Sequence, residues 1–314
     1  YSNTTRRSEL LNGLWHLGVR QYPVIGSFAD VYMKTLDEAY SRWRKKDSRA
    51  YVAELIRQYK PDVMLTHDIN GEYGHGAHKL CASVAQRVGS ILYNPQKPQS
   101  KHVQAALIAK QNQTVWGMNT DYYTYRVGRK TITGMVIRNG QVFYDRVPEA
   151  NRHQFPNLDT LAMLEDGSWH VFHSDEHTAQ EYLDMGAVDV FSFGPYLIRN
   201  GEINPFLAEM TNGLTPQPRC AIGMVEPGHY FAALAEGRIR NVSVGVSVAQ
   251  MAEWMQKGGC TEALNLDGGQ TAVMTFMGKQ ISRIGKYDGG KTSARATTEI
   301  IGVGRSDLID PNAK

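Results

Sequence analysis

A chain of 314 residues with 42% apolar content is long enough for one large or two ordinary domains with packed cores. Its net charge of +3 is unremarkable, and its basic cluster, Arg42-Trp43-Arg44-Lys45-Lys46, is short and reads as the wet face of a helix, so nucleic acid is not favoured as a partner. No apolar run approaches the length of a membrane span, and Cys81, Cys220 and Cys260 form neither a disulfide framework nor a metal-ligand spacing.

Up to about residue 90 the pattern is α/β: helices over 36–44 and 51–58, a short strand over 63–66, and a helix over 77–87. Asn94-Pro95-Gln96-Lys97-Pro98-Gln99-Ser100 is polar and proline-rich, as a linker would be. The expected division is a segment 1–90, a linker 91–100 and a domain 101–306. Beyond the linker, after a helix over 103–110, strands dominate. Runs over 131–138 and 141–144 flank Asn139-Gly140, a strong hairpin signal. Runs over 161–164 and 169–172 flank Glu165-Asp166-Gly167-Ser168, and runs over 231–235 and 239–244 flank Glu236-Gly237-Arg238. The expected class is α+β, a hairpin-rich mixed-sheet domain with helices, preceded by a partial α/β segment.

Near the end of this region Ser247-Val248-Ala249-Gln250 reads as a capping box, residues 248–256 as an amphipathic helix and Gly258-Gly259 as its stop. The next strand, Ala263-Leu264-Asn265-Leu266, delivers the chain to Asp267. Gly268-Gly269 then allows a tight turn with backbone N–H groups open to an anion or to sugar hydroxyls. The plain alternative is an Asp-Gly hairpin turn.

The run Asn265-Leu266-Asp267-Gly268-Gly269-Gln270-Thr271-Ala272-Val273-Met274 resembles the signature of the phosphodiester glycosidase family, and other segments match that family in order. They are residues 115–123 (VWGMNTDYY), 134–140 (GMVIRNG), 193–201 (FGPYLIRNG), 218–223 (PRCAIG) and 295–301 (RATTEII). The sequence departs from the pattern at Thr120 and Gln270, where glycines are usual, and at Thr271, where serine is usual. The resemblance spans roughly 96–305 and implies hydrolysis of a sugar-1-phosphodiester in a glycan or cell-surface polymer, with a carbohydrate substrate and an extracellular or cell-surface setting.

Such a bond carries a leaving group, a phosphate monoester, that is already anionic and weakly basic. The demand is for cationic and N–H donors on the phosphate and a carboxylate beside the developing oxocarbenium ion. Asp267 is the candidate carboxylate. Arg219 is the candidate phosphate clamp, with the Gly268 and Gly269 N–H groups as helpers. Asn119 and Asp121 would position sugar hydroxyls, Asn265 and Thr271 would contribute to binding, and His229 could shuttle a proton. The alternatives are an Arg219–Asp267 structural ion pair, a hydrogen-bonded core His229, and turn-forming roles for Asn119 and Asp121. No cofactor is required; a divalent cation, calcium or magnesium, could sit on Asp121, Asp267 and backbone carbonyls.

Residues 59–78 (YKPDVMLTHDINGEYGHGAH) resemble the zinc-dependent, LmbE-like N-acetylglucosaminyl deacetylase family, with Arg6-Arg7-Ser8-Glu9 and Leu17-Gly18-Val19 resembling the preceding helix. In that family the second histidine of the G-H-x-x-H motif, here His78, is a zinc ligand, and further ligands come from an A-H-P-D-D-E segment that this chain lacks. The reading is a truncated, zinc-incompetent remnant, with the chain a fragment at both ends. The alternative is a zinc site built on His78 and His75, with His67 nearby, and completed by other ligands. The functions to be separated are therefore the phosphodiester glycosidase, the deacetylase, and a non-catalytic carbohydrate- or wall-binding module.

Overall fold

The computed structural model describes residues 4–19, 21–28, 31–59, 77, 88–95, 101–146, 155–210, 213–286 and 292–312. It comprises two compact units, Tyr1–Ala85 and Gln86–Lys314.

The first unit carries α1 (Thr4–His16), α2 (Leu36–Trp43) and α3 (Lys45–Tyr59). The Thr35 hydroxyl accepts from the Glu38 N–H and so caps α2, and the chain turns at Arg44 (φ 39°) before α3 begins. Phe28 packs beside Trp43 and Tyr51 at ring separations of 5.4 and 5.3 Å. The expected strand over 63–66 and the histidines His67, His75 and His78 lie outside the described residues, as does Cys81.

The second unit is built on three five-stranded sheets, with strands numbered in chain order. Sheet I runs β1 (Gly89–Leu92), β15 (Glu299–Arg305), β2 (Thr114–Met118), β13 (Met274–Phe276), β14 (Lys279–Gln280). Sheet II runs β4 (Gln141–Arg146), β3 (Gly134–Arg138), β7 (Ala187–Ser192), β5 (Thr160–Leu164), β6 (Trp169–Phe172). Sheet III runs β11 (His229–Ala235), β10 (Arg219–Glu226), β12 (Glu262–Leu266), β8 (Tyr196–Arg199), β9 (Glu202–Ile203). Every ladder is antiparallel.

Period-two alternation decides what each face meets. Cys220, Ile222 and Met224 of β10 and Leu264 and Leu266 of β12 point into a shared core with Leu161, Trp169, Val171 and Phe191 of sheet II and Met118 and Ile301 of sheet I. Their neighbours Ala221 and Ala263 face the other way, onto Met251, Ala252 and Met255 of α7 (Val248–Lys257). In the same manner α4 (Ala105–Gln111) packs on sheet I through Ile108 and Ile300. The helix α6 (Ala179–Asp184) packs on sheet II through Tyr182, Met135 and Val190. This is the α+β class that the residue pattern predicts.

Local signals explain most of the turns. Asn139-Gly140 and Asn200-Gly201 both lie at positive φ (51° and 78°, 53° and 82°) and join β3 to β4 and β8 to β9 as two-residue hairpins. The capping box at Ser247 and Gln250 forms as expected, and Gly259 (φ 82°) ends α7. Two expectations change. The run over 239–244 is a loop with a single bridge between Ile239 and Ser243; β11 pairs instead with β10, through a turn in which Gly228 takes φ 91°. Residues 89–92, placed by composition at the end of the first segment and the start of a linker, form β1 and pair with β15 in the second unit.

Candidate active site

Asp267 stands where the chain leaves sheet III for sheet I, since β12 precedes it and β13 follows in the other sheet. It therefore belongs to a crossover and not to an Asp-Gly hairpin; residues Gly269–Thr271 form one turn of 3-10 helix. Two more crossovers meet it. Residues 119–122 carry the chain from β2 toward sheet II through α5 (Tyr123–Gly128), and residues 193–195 carry it from β7 to β8.

These crossovers are bonded to one another. Asn119 Nδ2 donates to the Asp267 carbonyl at 2.7 Å, and Asp267 N–H donates to the Thr120 carbonyl at 3.3 Å. Asn119 Oδ1 accepts from Val273 N–H at 3.1 Å. Asn265 Nδ2 donates to the Gly194 carbonyl at 2.9 Å, and Gly194 N–H donates to the Asn265 carbonyl at 3.1 Å. Gly194 takes φ 76°, and a Cβ there would overlap Asn157 Oδ1, so the close approach needs glycine.

Beneath the junction lies a buried charge cluster. Arg138 Nη2 donates to Asp121 Oδ1 (2.9 Å) and Glu299 Oε1 (2.8 Å), and its Nε donates to Glu299 Oε2 (2.8 Å). Its guanidinium stacks 4.0 Å from the Phe191 ring centroid. Arg126 donates to the Asp121, Thr133 and Ser192 carbonyls at 2.7 to 2.9 Å and stands 3.7 Å from Asp121 Oδ2. Two guanidiniums thus face two carboxylates in the cluster. The adjoining carboxylates outweigh the cost of burial and push Arg138 up, whereas burial dominates and lowers Arg126. Glu299 also accepts from the Thr120 hydroxyl at 3.1 Å, so the cluster holds the crossover that touches Asp267.

The Asp267 side chain is 15% exposed, and its Oδ2 accepts no hydrogen bond from the described residues. Arg295 Nη1 lies 3.7 Å from that oxygen and donates to Thr271 Oγ1 at 3.2 Å. Burial raises the Asp267 carboxyl above the ordinary value; the Thr271 hydroxyl, Arg295, the Gly268 N–H and Arg126 pull against it. Tyr122 flanks the pair in left-handed backbone (φ 46°, ψ 43°). Its phenol is raised by burial, lowered by Arg295 and raised by Asp267. On the other side, the Arg238 guanidinium lies 3.3 Å from where a Gly269 Cβ would stand.

Several residues named from the sequence have other duties. Arg219 is buried, with Nε on the Val246 carbonyl (2.8 Å) and Nη2 on the Gly213 and Thr215 carbonyls (3.2 and 3.1 Å), and its guanidinium stacks on Phe155. It ties loops together, and burial pulls it down to about 10. His229 is exposed and pairs with Glu226, at the opposite end of β10 from Cys220, whose partner Leu266 adjoins Asp267; the separation along the strand is about 20 Å. Asp121 spends its oxygens on Arg138, Ser192 N–H and Tyr123 N–H, so guanidiniums stand where a calcium or magnesium ion would need to be. Asn119 and Asn265 bond backbone groups of the crossovers. Gly269 N–H donates to the Pro218 carbonyl at 2.8 Å, and a Cβ on Gly268 would overlap that same carbonyl. Thr271 holds Asp267 and Arg295 in place.

The residues missed were Arg295, Tyr122, Arg138 and Glu299. All lie within the motif segments 295–301, 115–123 and 134–140; for Arg138 and Glu299 the signal was a charge within a strand-like apolar run, which marks buried pairing. No group of three or more His, Cys, Asp or Glu side chains stands at metal-binding separation among the described residues. No helix of the described residues is long and apolar enough to cross a membrane.

The phosphodiester glycosidase family model matches residues 112–304, and the GlcNAc-PI de-N-acetylase family model matches residues 2–88. The SPbeta prophage-derived uncharacterized protein YomE of Bacillus subtilis is 26% identical over 156 residues, 49% of this chain and 23% of that protein. The 1D-myo-inositol 2-acetamido-2-deoxy-alpha-D-glucopyranoside deacetylase 1 of Catenulispora acidiphila is 27% identical over 124 residues, 37% of this chain and 35% of that protein. The chain thus spans between 23% and 35% of the length of these curated relatives. The catalytic domain of zebrafish N-acetylglucosamine-1-phosphodiester alpha-N-acetylglucosaminidase, auto-inhibited by its pro-peptide, superposes with a TM-score of 0.55 at 18% identity, covering 70% of this chain and 73% of that one, a likeness of fold. With its family model spanning more than half of the 314 residues, the chain belongs to the phosphodiester glycosidase family.

Proposed function

We propose that the second unit hydrolyses a sugar-1-phosphodiester, with N-acetylglucosamine as the sugar, in a glycan or cell-surface polymer. The observation that supports this reading is the pairing of Asp267, a shielded carboxylate whose Oδ2 accepts no hydrogen bond from the described residues, with the half-exposed cation Arg295 at 3.7 Å. Arg295 takes the phosphate, in place of Arg219, because its side chain is 43% exposed beside Asp267 whereas the Arg219 guanidinium is spent on carbonyls. In the reaction the bond from the anomeric carbon to the phosphate oxygen breaks, and its electron pair leaves with the phosphate monoester. Asp267 faces the carbon as nucleophile, or as base for the water whose oxygen replaces the phosphate. Asn119, Thr120 and Thr271 are positioning residues that hold Asp267.

The test is release of N-acetylglucosamine from a GlcNAc-1-phosphodiester by the purified chain. Turnover abolished by Asp267→Asn and insensitive to chelator is the expected result; equal turnover in both proteins would sink the assignment. Binding of sugar without turnover would favour a carbohydrate-binding module.

A second reading rests on the match of residues 2–88 to the de-N-acetylase family. Deacetylation of an N-acetylglucosaminyl substrate that is lost on chelation and restored by zinc, with His78→Ala abolishing the restoration, would establish it.

A further inference from the structure

Tyr122 is held in left-handed backbone, which crowds the Cβ of an L-residue. It belongs to none of the apolar clusters that build the core. Its ring instead stacks on Tyr125, with centroids 6.0 Å apart and planes 19° apart, and the exposed His102 meets its edge at 6.5 Å. Tyr125 is 49% exposed, and the guanidinium of the exposed Arg129 lies 5.0 Å from its centroid. Tyr122 and Asp267 both bond Thr120, which places the start of this ledge beside the candidate carboxylate.

Tyr122 lies within the charge influence of Arg295 and stacks on Tyr125, which in turn meets the Arg129 guanidinium, so an aromatic pair stands between two cations. The electron-rich faces of aromatic rings suit the C–H surfaces of a sugar, and guanidiniums suit phosphate oxygens. A single phosphodiester would use Arg295 and leave Arg129 without an anion to meet. We propose that Tyr122, Tyr125 and Arg129 form an aglycone subsite for a repeating sugar–phosphate chain, in which one sugar lies along the tyrosines and the next phosphate meets Arg129. This rests on the hydrolase reading for the placement of the scissile phosphate on Arg295.

The experiment uses the full chain carrying Asp267→Asn, to measure binding without turnover. Its probes are a single methyl GlcNAc-1-phosphodiester and a synthetic trimer of N-acetylglucosamine joined by 1,6-phosphodiesters. The trimer is expected to bind roughly tenfold tighter than the methyl diester, as one charge-assisted contact plus ring stacking supplies. Tyr125→Ala and Arg129→Gln should each erase most of that preference. Tyr122→Gly should do the same while raising the thermal midpoint, since glycine relieves the left-handed backbone. No preference for the trimer, or a preference that survives Tyr125→Ala and Arg129→Gln, overturns the subsite. Turnover of the methyl diester by the chain with Asp267 intact is scored separately. Turnover without trimer preference leaves the hydrolase and removes the subsite, whereas trimer preference with turnover of neither probe removes the hydrolase and leaves only a sugar–phosphate binding surface.

Discussion

Asp267 sits where charge is costly, and that cost has a sign. Its folded carboxyl is raised by burial above the ordinary 3.8, so the folded chain keeps a proton in a window where the unfolded chain has lost it. Its contribution to stability is therefore fully present below pH 3.8 and is lost as pH rises through the raised folded value. Asp267→Asn, which carries no charge, is expected to be more stable than the parent at pH 7 and to flatten stability across that window, read from urea midpoints against pH. A midpoint lower than the parent's at pH 7 would contradict the burial argument. In the proposed hydrolysis Asp267 acts ionised, so the acid limb of activity should lie at higher pH than an ordinary aspartate would set. Arg295 pulls that carboxyl down. Arg295→Ala should therefore move the limb to higher pH and raise the KM for a phosphodiester, while leaving the affinity for free N-acetylglucosamine nearly constant. Arg219→Met should register in the unfolding midpoint instead, because three backbone carbonyls lose their donor.

At the scale of elements, the sites rest on crossovers that the buried charge cluster holds together. Arg138→Met would leave Asp121 and Glu299 facing each other without their main counter-charge. The expected loss is about 3–5 kcal/mol, measurable by urea unfolding. A loss under about 1 kcal/mol would mean that the cluster relaxes or takes up protons. The hairpin at Asn139-Gly140 was legible because the two-residue loop needs positive φ at both positions and the sequence offers residues that adopt it; Asn200-Gly201 makes the same turn. Residues 239–244 misled for a matching reason. Their alternation suits a strand, yet β11 takes β10 as its partner, and residues 239–244 close on themselves through the Ile239–Ser243 bridge instead of extending the sheet past β11. Asp267-Gly268 looks locally like a hairpin; only the departure of β13 to another sheet makes it a crossover.

For the whole molecule, the division between Ala85 and Gln86 assigns β1 to the second unit. A chain starting at Gln86 should unfold at a higher midpoint than one starting at Lys101, which loses the four-residue ladder to β15 and exposes Ile300 and Ile301. Equal midpoints would show that β1 adds nothing. The sequence by itself determined the strand-rich class, the Asn139-Gly140 turn, the cap and stop of α7, the place of Asp267 at the end of β12 and the membership of the phosphodiester glycosidase family. Each of these is written within a few consecutive residues, where side-chain alternation and backbone preference act. Which arginine meets the carboxylate was decided by tertiary structure alone. Arg219 is next to Cys220, whose strand partner adjoins Asp267, yet it turns to carbonyls, while Arg295 arrives from far along the chain. Long side chains reach partners that chain order does not reveal, and burial settles which of them remain available to a substrate.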